Sequence, residues 1–184
     1  YTVQAKNQTC PPIEIINWPK IKVTDWIMEV TNHGKIGFDP WLHSVDEIEQ
    51  YKRSMANTEI TLQATQNLVD IIWKDQPSAP TEKSFPYEDE FAGATQSSKR
   101  KTLAKELKIN GNSAAVITLP EGIAWLLNIR GGDVEHLPIV QAFSILHSNN
   151  EVDIFVDKRK VENLKEHFGD GINLYNENDF LSQL

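Results

Sequence analysis

Five histidines, one cysteine and scattered acidic side chains are the groups here that could ligate a metal or carry acid–base chemistry. A metal centre needs several His, Cys, Asp or Glu side chains converging at close range. His33, His43, His136, His147 and His167 stand apart: no two are at i, i+2 or i, i+4, the spacings that put both rings on one ligand face. A metal site built wholly from this chain is not expected. Cys10 precedes Pro11-Pro12 in a stiff segment with no evident base, so a structural or surface thiol is expected rather than a nucleophile. No G-x-S-x-G elbow is present. Arg130-Gly131-Gly132-Asp133 matches neither the dinucleotide nor the P-loop pattern. Glu88-Asp89-Glu90 reads as solvated acids in a polar connector.

One segment concentrates the remaining chemistry: Asn128-Ile129-Arg130-Gly131-Gly132-Asp133-Val134-Glu135-His136-Leu137-Pro138. It holds two glycines, an arginine, two acids and a histidine between a short apolar helix and an apolar strand. Glycine lets the backbone take strained conformations and approach a partner closely. Arginine grips a carboxylate or carbonyl with a planar fork. Either Arg130 and Asp133 pair to hold the loop, or the loop faces a substrate channel or a partner domain. Arg130, Asp133 and His136 are the candidate substrate-facing or interface residues, and no residue is assigned a catalytic role.

The elements that would position this loop alternate between helix and strand. Tyr1 to Ala5 alternate weakly, as a strand would. Thr24 can cap a helix from about Asp25 to Thr31, with Gly34 placed just past its end. Ile36 to Asp39 reads as a short buried strand. Ser44-Val45-Asp46-Glu47 has the form of a capping box and starts a helix through about Met55, with Val45, Ile48, Tyr51 and Met55 on its apolar side. Thr58 to Leu62 alternate as a strand, and Val69, Ile72 and Trp73 fit one face of a further helix. Asp75 to Thr81 carries two prolines among small polar residues and disfavours both helix and sheet.

Beyond that hinge, Ser97 or Ser98 can cap a helix to about Lys108, with Leu103, Ala104 and Leu107 buried and Asn110-Gly111 as its stop. Ala115 to Leu119 form a strand, and Pro120 opens a helix through Leu127, where a missing amide is tolerated. Val140 to Leu146 and Val152 to Val156 read as strands joined by a hairpin at Ser148-Asn149-Asn150. A helix from about Lys160 to Phe168 ends at Gly169. This is an α/β class with mixed sheets flanked by helices, in two units: 1–75, a linker at 76–81, and 82–184.

The 184 residues are 40% hydrophobic and 24% charged, ordinary for a globular chain. A net charge of -8 argues against a general nucleic-acid binder, which needs a basic face. The one basic run, Lys99-Arg100-Lys101, is expected to be a solvated helix face. No stretch approaches the roughly 20 apolar residues of a membrane helix, and no signal peptide is visible. The first residue is Tyr, so the chain is expected to begin inside a longer gene product. A lone cysteine excludes an intrachain disulfide and fits a reducing cytoplasm.

Glu121-Gly122-Ile123-Ala124-Trp125-Leu126-Leu127-Asn128-Ile129-Arg130-Gly131-Gly132-Asp133-Val134-Glu135-His136-Leu137-Pro138 closely resembles a block of the long-form Xaa-Pro aminopeptidases, the aminopeptidase P family. Ala142 to Leu146 and Ile154 to Asp157 resemble the next two strands of the same domain. Ile36-Gly37-Phe38-Asp39-Pro40-Trp41-Leu42-His43 resembles the family's GFDPWLH segment, and Asn67 to Trp73 the end of its first domain. The departures are Gly132, where the family usually has Ser, Leu137, where many members are polar, and Pro120-Glu121-Gly122.

The resemblance implies a creatinase/aminopeptidase N-terminal-domain fold: 1–75 as the C-terminal part of a first creatinase-like domain and 82–184 as a second. It implies a parent whose C-terminal pita-bread domain binds two divalent metals, Mn or Zn, through two Asp, one His and two Glu. That domain removes an N-terminal residue preceding proline, the metals activating water and polarising the scissile carbonyl. None of those ligand motifs lies here, so this segment is expected to be inactive alone and to need no cofactor of its own. Its implied roles are to gate substrate access and support a cytoplasmic homodimer. Its implied partners are the pita-bread domain and, through the parent, proline-second peptides, with no nucleic acid and no membrane. The alternative is a stand-alone creatinase-like pseudo-enzyme module that binds protein partners.

Overall fold

Residues 1–184 are described by a computed structural model, in which the chain divides into two compact units, Tyr1–Pro77 and Ser78–Leu184. In the first, α1 (Thr2–Gln8) and α2 (Val23–Val30) precede β1 (His33–Phe38), α3 (Val45–Ser54), β2 (Glu59–Ala64) and α4 (Leu68–Ile72). β1 and β2 pair in parallel, His33 opposite Glu59 and Phe38 opposite Ala64, with α3 as the crossover. Ser44 starts α3 by accepting from the Glu47 amide (3.2 Å), the first half of the box read in the sequence. The second half is absent, because the Glu47 carboxylate instead accepts from the Tyr51 hydroxyl (2.7 Å) and meets His43 Nδ1 (3.0 Å). Those two contacts, Tyr51 first, hold the Glu47 carboxyl below its usual range.

Several readings of this unit are corrected. Residues 2–8 form a helix, not a strand. The alternation there was weak, and the helix buries no side chain, so no core face imposed a period of two. Gly34 does not end α2, whose last residue is followed by the extended Thr31; it lies within β1 at φ +110°. β1 itself is exposed to half-buried rather than buried. Of the predicted apolar side of α3, Ile48 and Met55 are buried while Val45 is exposed.

The second unit holds β3 (Phe85–Pro86), α5 (Asp89–Ala92), α6 (Gln96–Ile109), β4 (Ala114–Ile117), α7 (Pro120–Leu127) and β5 (Ile129–Arg130). They are followed by β6 (Phe143–His147), β7 (Val152–Phe155), 3-10 turns over 158–164, α8 (Lys165–Phe168), β8 (Ile172–Tyr175) and a 3-10 turn, Glu177–Ser182. A four-stranded mixed sheet runs β4-β6-β7-β8, antiparallel at the first two pairings and parallel at the last. The hairpin between β6 and β7 turns through Asn150, at φ +76°. One face packs Leu146, Val152, Ile154 and Val156 against Ile123, Leu126 and Leu127 of α7. The other packs Ile145 and Phe155 against Phe180, which also stacks on Phe143 at 4.5 Å. A sheet covered on both faces needs apolar residues at successive positions, and Ile145-Leu146 and Ile154-Phe155-Val156 supply them. No helix is long and apolar enough to cross a membrane.

The expected helix from Lys160 is two 3-10 turns and one short α-helical turn, and the edge strand β8 and the last 3-10 turn, whose Phe180 covers one face, were not foreseen. Asp157 caps the first 3-10 turn through the Arg159 amide (3.0 Å) and also grips the Arg159 guanidinium. The Arg159 side-chain contact, then the amide, holds the Asp157 carboxyl at about 2 against an ordinary 3.8. A depressed carboxyl contributes stability that is fully present above the unfolded value and lost as pH falls through the folded one. Asp157→Asn is therefore expected to remove a decline in stability between pH 4 and pH 2, read by acid titration of the unfolding midpoint. Because Arg159 is exposed, added salt should shrink the effect.

Candidate functional site

Helix α7 delivers the 128–138 loop, and the way it ends decides what the loop can do. Asn128 takes the left-handed conformation at φ 50° and is 1% exposed, so its side chain must be hydrogen-bonded inside the protein. Its amide nitrogen donates to Asp89 Oδ1 and to the Ala94 carbonyl, both at 2.8 Å. Its amide oxygen accepts from Lys99 Nζ at 2.6 Å. The same ammonium donates to the Trp125 carbonyl (2.9 Å) and lies 4.6 Å from the Trp125 ring centre. Burial, then the nearby Arg130 charge, pushes the Lys99 amine below its usual value, and Asp89 partly offsets this.

The basic run is thus not a solvated face. Lys99 and Arg100 are 7% and 6% exposed, and only Lys101 is exposed as expected. The guanidinium of Arg100 donates to the carbonyls of Asn150 (3.0 Å), Gly171 (3.2 Å) and Asp170 (3.2 Å), tying the hairpin to the turn before β8. A signal for this was in the sequence. Lys99 is four residues before Leu103, and Arg100 four before Ala104, so the apolar stripe extends back through both cations. The cap is Thr95, accepting from the Ser98 amide (3.1 Å), rather than Ser97 or Ser98.

Within the loop, Arg130 and Asp133 do not pair with each other. Asp133 turns inward, its side chain 0% exposed, and accepts from Lys160 Nζ (2.8 Å) and from the Gln141 amide (2.7 Å). Arg130 lies on the β5 ladder opposite Phe85, its guanidinium carbon 3.9 Å from the Tyr87 ring centre. Its Nη1 donates to the Ile129 carbonyl (2.7 Å) and more weakly to that of Ala124 (3.4 Å). His136 sits at the loop tip at φ 65°, exposed, with Glu135 3.4 Å away. The three candidates therefore occupy separate settings: Asp133 a buried ion pair, Arg130 an aromatic platform, His136 an open turn. Of the residues that hold the loop, Tyr87 and Lys160 were not singled out in the sequence, and Asn128 and Lys99 were named there without this role.

The two glycines have opposite roles. A Cβ on Gly131 would stand 2.7 Å from the Ile139 carbonyl oxygen and 3.1 Å from its carbon, both backbone atoms that cannot step aside. A Cβ on Gly132 would meet only Glu82 side-chain carbons at 3.6 Å or more. Gly131→Ala is expected to destabilise the chain by about 1–3 kcal/mol, as overpacking does. Gly132→Ser is expected to be neutral or to stabilise by up to about 1 kcal/mol, through restriction of the unfolded chain. Thermal unfolding of the two variants, side by side, checks both.

In the first unit a separate open cleft of about 640 Å³ lies beyond the C-terminal ends of β1 and β2, lined by Asp39, Trp41, Thr65, Asn67 and Asp70 among others. Its polar groups are partly spent on their own turns: Asp39 Oδ1 accepts from the Trp41 amide, and Asn67 from the Val69 amide, both at 2.9 Å. Nowhere in the chain do three His, Cys, Asp or Glu side chains come together in a way that could hold a metal ion. The donor set of this chain therefore does not fit a metal centre of its own.

Residues 75–184 match the family described as the creatinase/prolidase N-terminal domain. Aminopeptidase P1 of Lotus japonicus is 35% identical over 164 residues, 88% of this chain and 25% of that protein. Aminopeptidase P2 of Arabidopsis thaliana is 37% identical over 149 residues, 78% of this chain and 21% of that protein. Among solved structures, the X-prolyl aminopeptidase of Caenorhabditis elegans, described as a cytosolic enzyme with a di-nuclear active site, superposes with a TM-score of 0.83 at 28% identity. That match covers 100% of this chain and 31% of the nematode one. The chain thus spans about a quarter of the length of the curated relatives it matches. With a family match across more than half its residues, the chain belongs to the creatinase/prolidase N-terminal domain family.

Proposed function

We propose that this chain is the non-catalytic front region of a Xaa-Pro aminopeptidase, whose activity is removal of the residue preceding an N-terminal proline bond. The observation that carries the reading is the 35% identity to an aminopeptidase P along 88% of this chain. A fold alone would not carry it, since function belongs to sites and not to folds. In this reading the chemistry is supplied by a di-metal domain outside these residues, a site of the kind described for the nematode enzyme. Mn or Zn would fill it. The front region shapes access to that domain and supports a homodimer, and the enzyme is cytoplasmic. What supports a shaping role is the rigid mounting of the 128–138 loop, pinned at Asn128, Gly131 and Asp133 and carrying an exposed tip.

The test is an assay of proline-second peptides with added manganese, on the full-length protein and on this chain alone. Turnover by the full-length protein and none by the chain is the expected pair of results. Turnover by these 184 residues alone, or none by the full-length protein with any divalent metal, would defeat the reading.

A further inference from the structure

Arg130 is held in place by only part of its guanidinium. Its guanidinium carbon lies over the Tyr87 ring, 3.9 Å from the centre, a contact that restricts where the group can point. Only Nη1 is used by the protein, on the Ile129 and Ala124 carbonyls. Nε and Nη2, the edge that meets a carboxylate with two parallel hydrogen bonds, donate to nothing in the chain. The acids that could have filled it are engaged elsewhere: Asp133 by Lys160, Asp89 by Asn128, and Glu135 beside His136. Lys99 adds a second positive charge close by, near enough for the two cations to repel. Phe85, directly across the ladder from Arg130, and Trp125, beside Ala124, are each about half exposed, at 51% and 50%. A cation with an unmatched edge, with Phe85 across the ladder and Trp125 exposed over the neighbouring Lys99, has the composition of a binding hot spot.

We propose that Arg130, seated on Tyr87, receives a carboxylate of the peptide substrate, with Phe85 and Trp125 covering the apolar groups beside it. The proposal rests on the reading that the full-length protein acts on peptides. Pre-orientation by the ring means little freedom is left to lose on binding, so the fork should discriminate a carboxylate from its amide. Arg130 is here a specificity residue that binds substrate remote from the bond cleaved.

The experiment uses the full-length enzyme and three proline-second peptides of one length: a free acid, its C-terminal amide, and that amide with one glutamate placed after the proline. Wild-type enzyme is expected to prefer an acid over the plain amide by about ten- to a hundredfold in KM, the value of a charged hydrogen-bonded contact. Arg130→Gln should abolish the preference by raising the KM of the acids to that of the plain amide, and Arg130→Lys, which keeps charge but not the fork, should retain only part of it. Arg130 dependence for either acid supports the proposal and identifies which carboxylate is read. Equal losses on all three peptides would show that Arg130 braces the protein instead, and no change on any would remove it; both overturn the proposal. If the wild-type protein cleaves none of the peptides, the functional reading fails separately. The carboxylate is then tested by the Arg130 side-chain Nε–H resonance, which must shift with an acid and not with the amide.

Discussion

Lys160→Met is expected to lower the stability of the second unit by about 3–5 kcal/mol, because it strands a carboxylate that no water reaches. Asp133 is 0% exposed and Lys160 4% at the side chain, with 2.8 Å between Oδ2 and Nζ. The carboxylate has little else: Oδ2 also takes the Gln141 amide, but Oδ1 has no hydrogen-bond partner. Removing the ammonium therefore leaves charge without compensation, which costs far more than the pair contributes by being intact. The double variant Lys160→Met, Asp133→Leu should recover much of the loss, because the Gln141 amide freed by it belongs to an exposed residue that water can reach. Urea unfolding followed by circular dichroism of the three proteins checks this. A double variant as unstable as the single one would show that backbone distortion, and not charge, was the cause.

Asn128→Ala is expected to cost about as much, about 3–5 kcal/mol, for two reasons that can be separated. The backbone is left-handed, which a non-glycine residue without a polar side chain adopts at about 1–2 kcal/mol. The side chain is also the meeting point of Lys99, Asp89 and the Ala94 carbonyl. Asn128→Gly relieves only the first cost, so it should be about 1 kcal/mol less harmful than alanine. Asn128→Asp keeps an acceptor for Lys99 but turns a donor toward Asp89 into a second carboxylate, so it should also destabilise. If glycine and alanine prove equally damaging, the side-chain network accounts for the whole effect.

Much of the second unit was legible because its signals were strong and local. Pro120 at a first helical turn, Asn110-Gly111 as a stop and the apolar runs at Phe143 and Val152 each correspond to an observed element. The family resemblance was legible for the same reason: the block around Ile123 to Leu127 is core, with Ile123 and Leu127 fully buried. What failed was whatever depended on distant partners. Arg130 and Asp133 are three residues apart and of opposite charge, yet Asp133 is taken by Lys160, which reaches the loop from twenty-seven residues away. Lys99 and Arg100 read as surface because cations usually are. Only the fold shows the carbonyls of Trp125, Asn150, Asp170 and Gly171 arranged to receive them. The helix at residues 2–8 was missed because, with nothing buried along it, the sequence there carries no face to read.

The two-stranded ribbon of the first unit has a consequence for how that unit survives. A parallel pair normally lies inside a wider sheet with both faces covered, whereas β1 and β2 have every residue exposed or only half-buried and two open edges. Their amide protons are thus shielded by little besides each other, and an outer edge with unspent N–H and C=O groups accepts any extended chain that reaches it. Left uncovered, such a ribbon is where deuterium enters first, where a protease finds purchase, and where strand-by-strand association between molecules would begin.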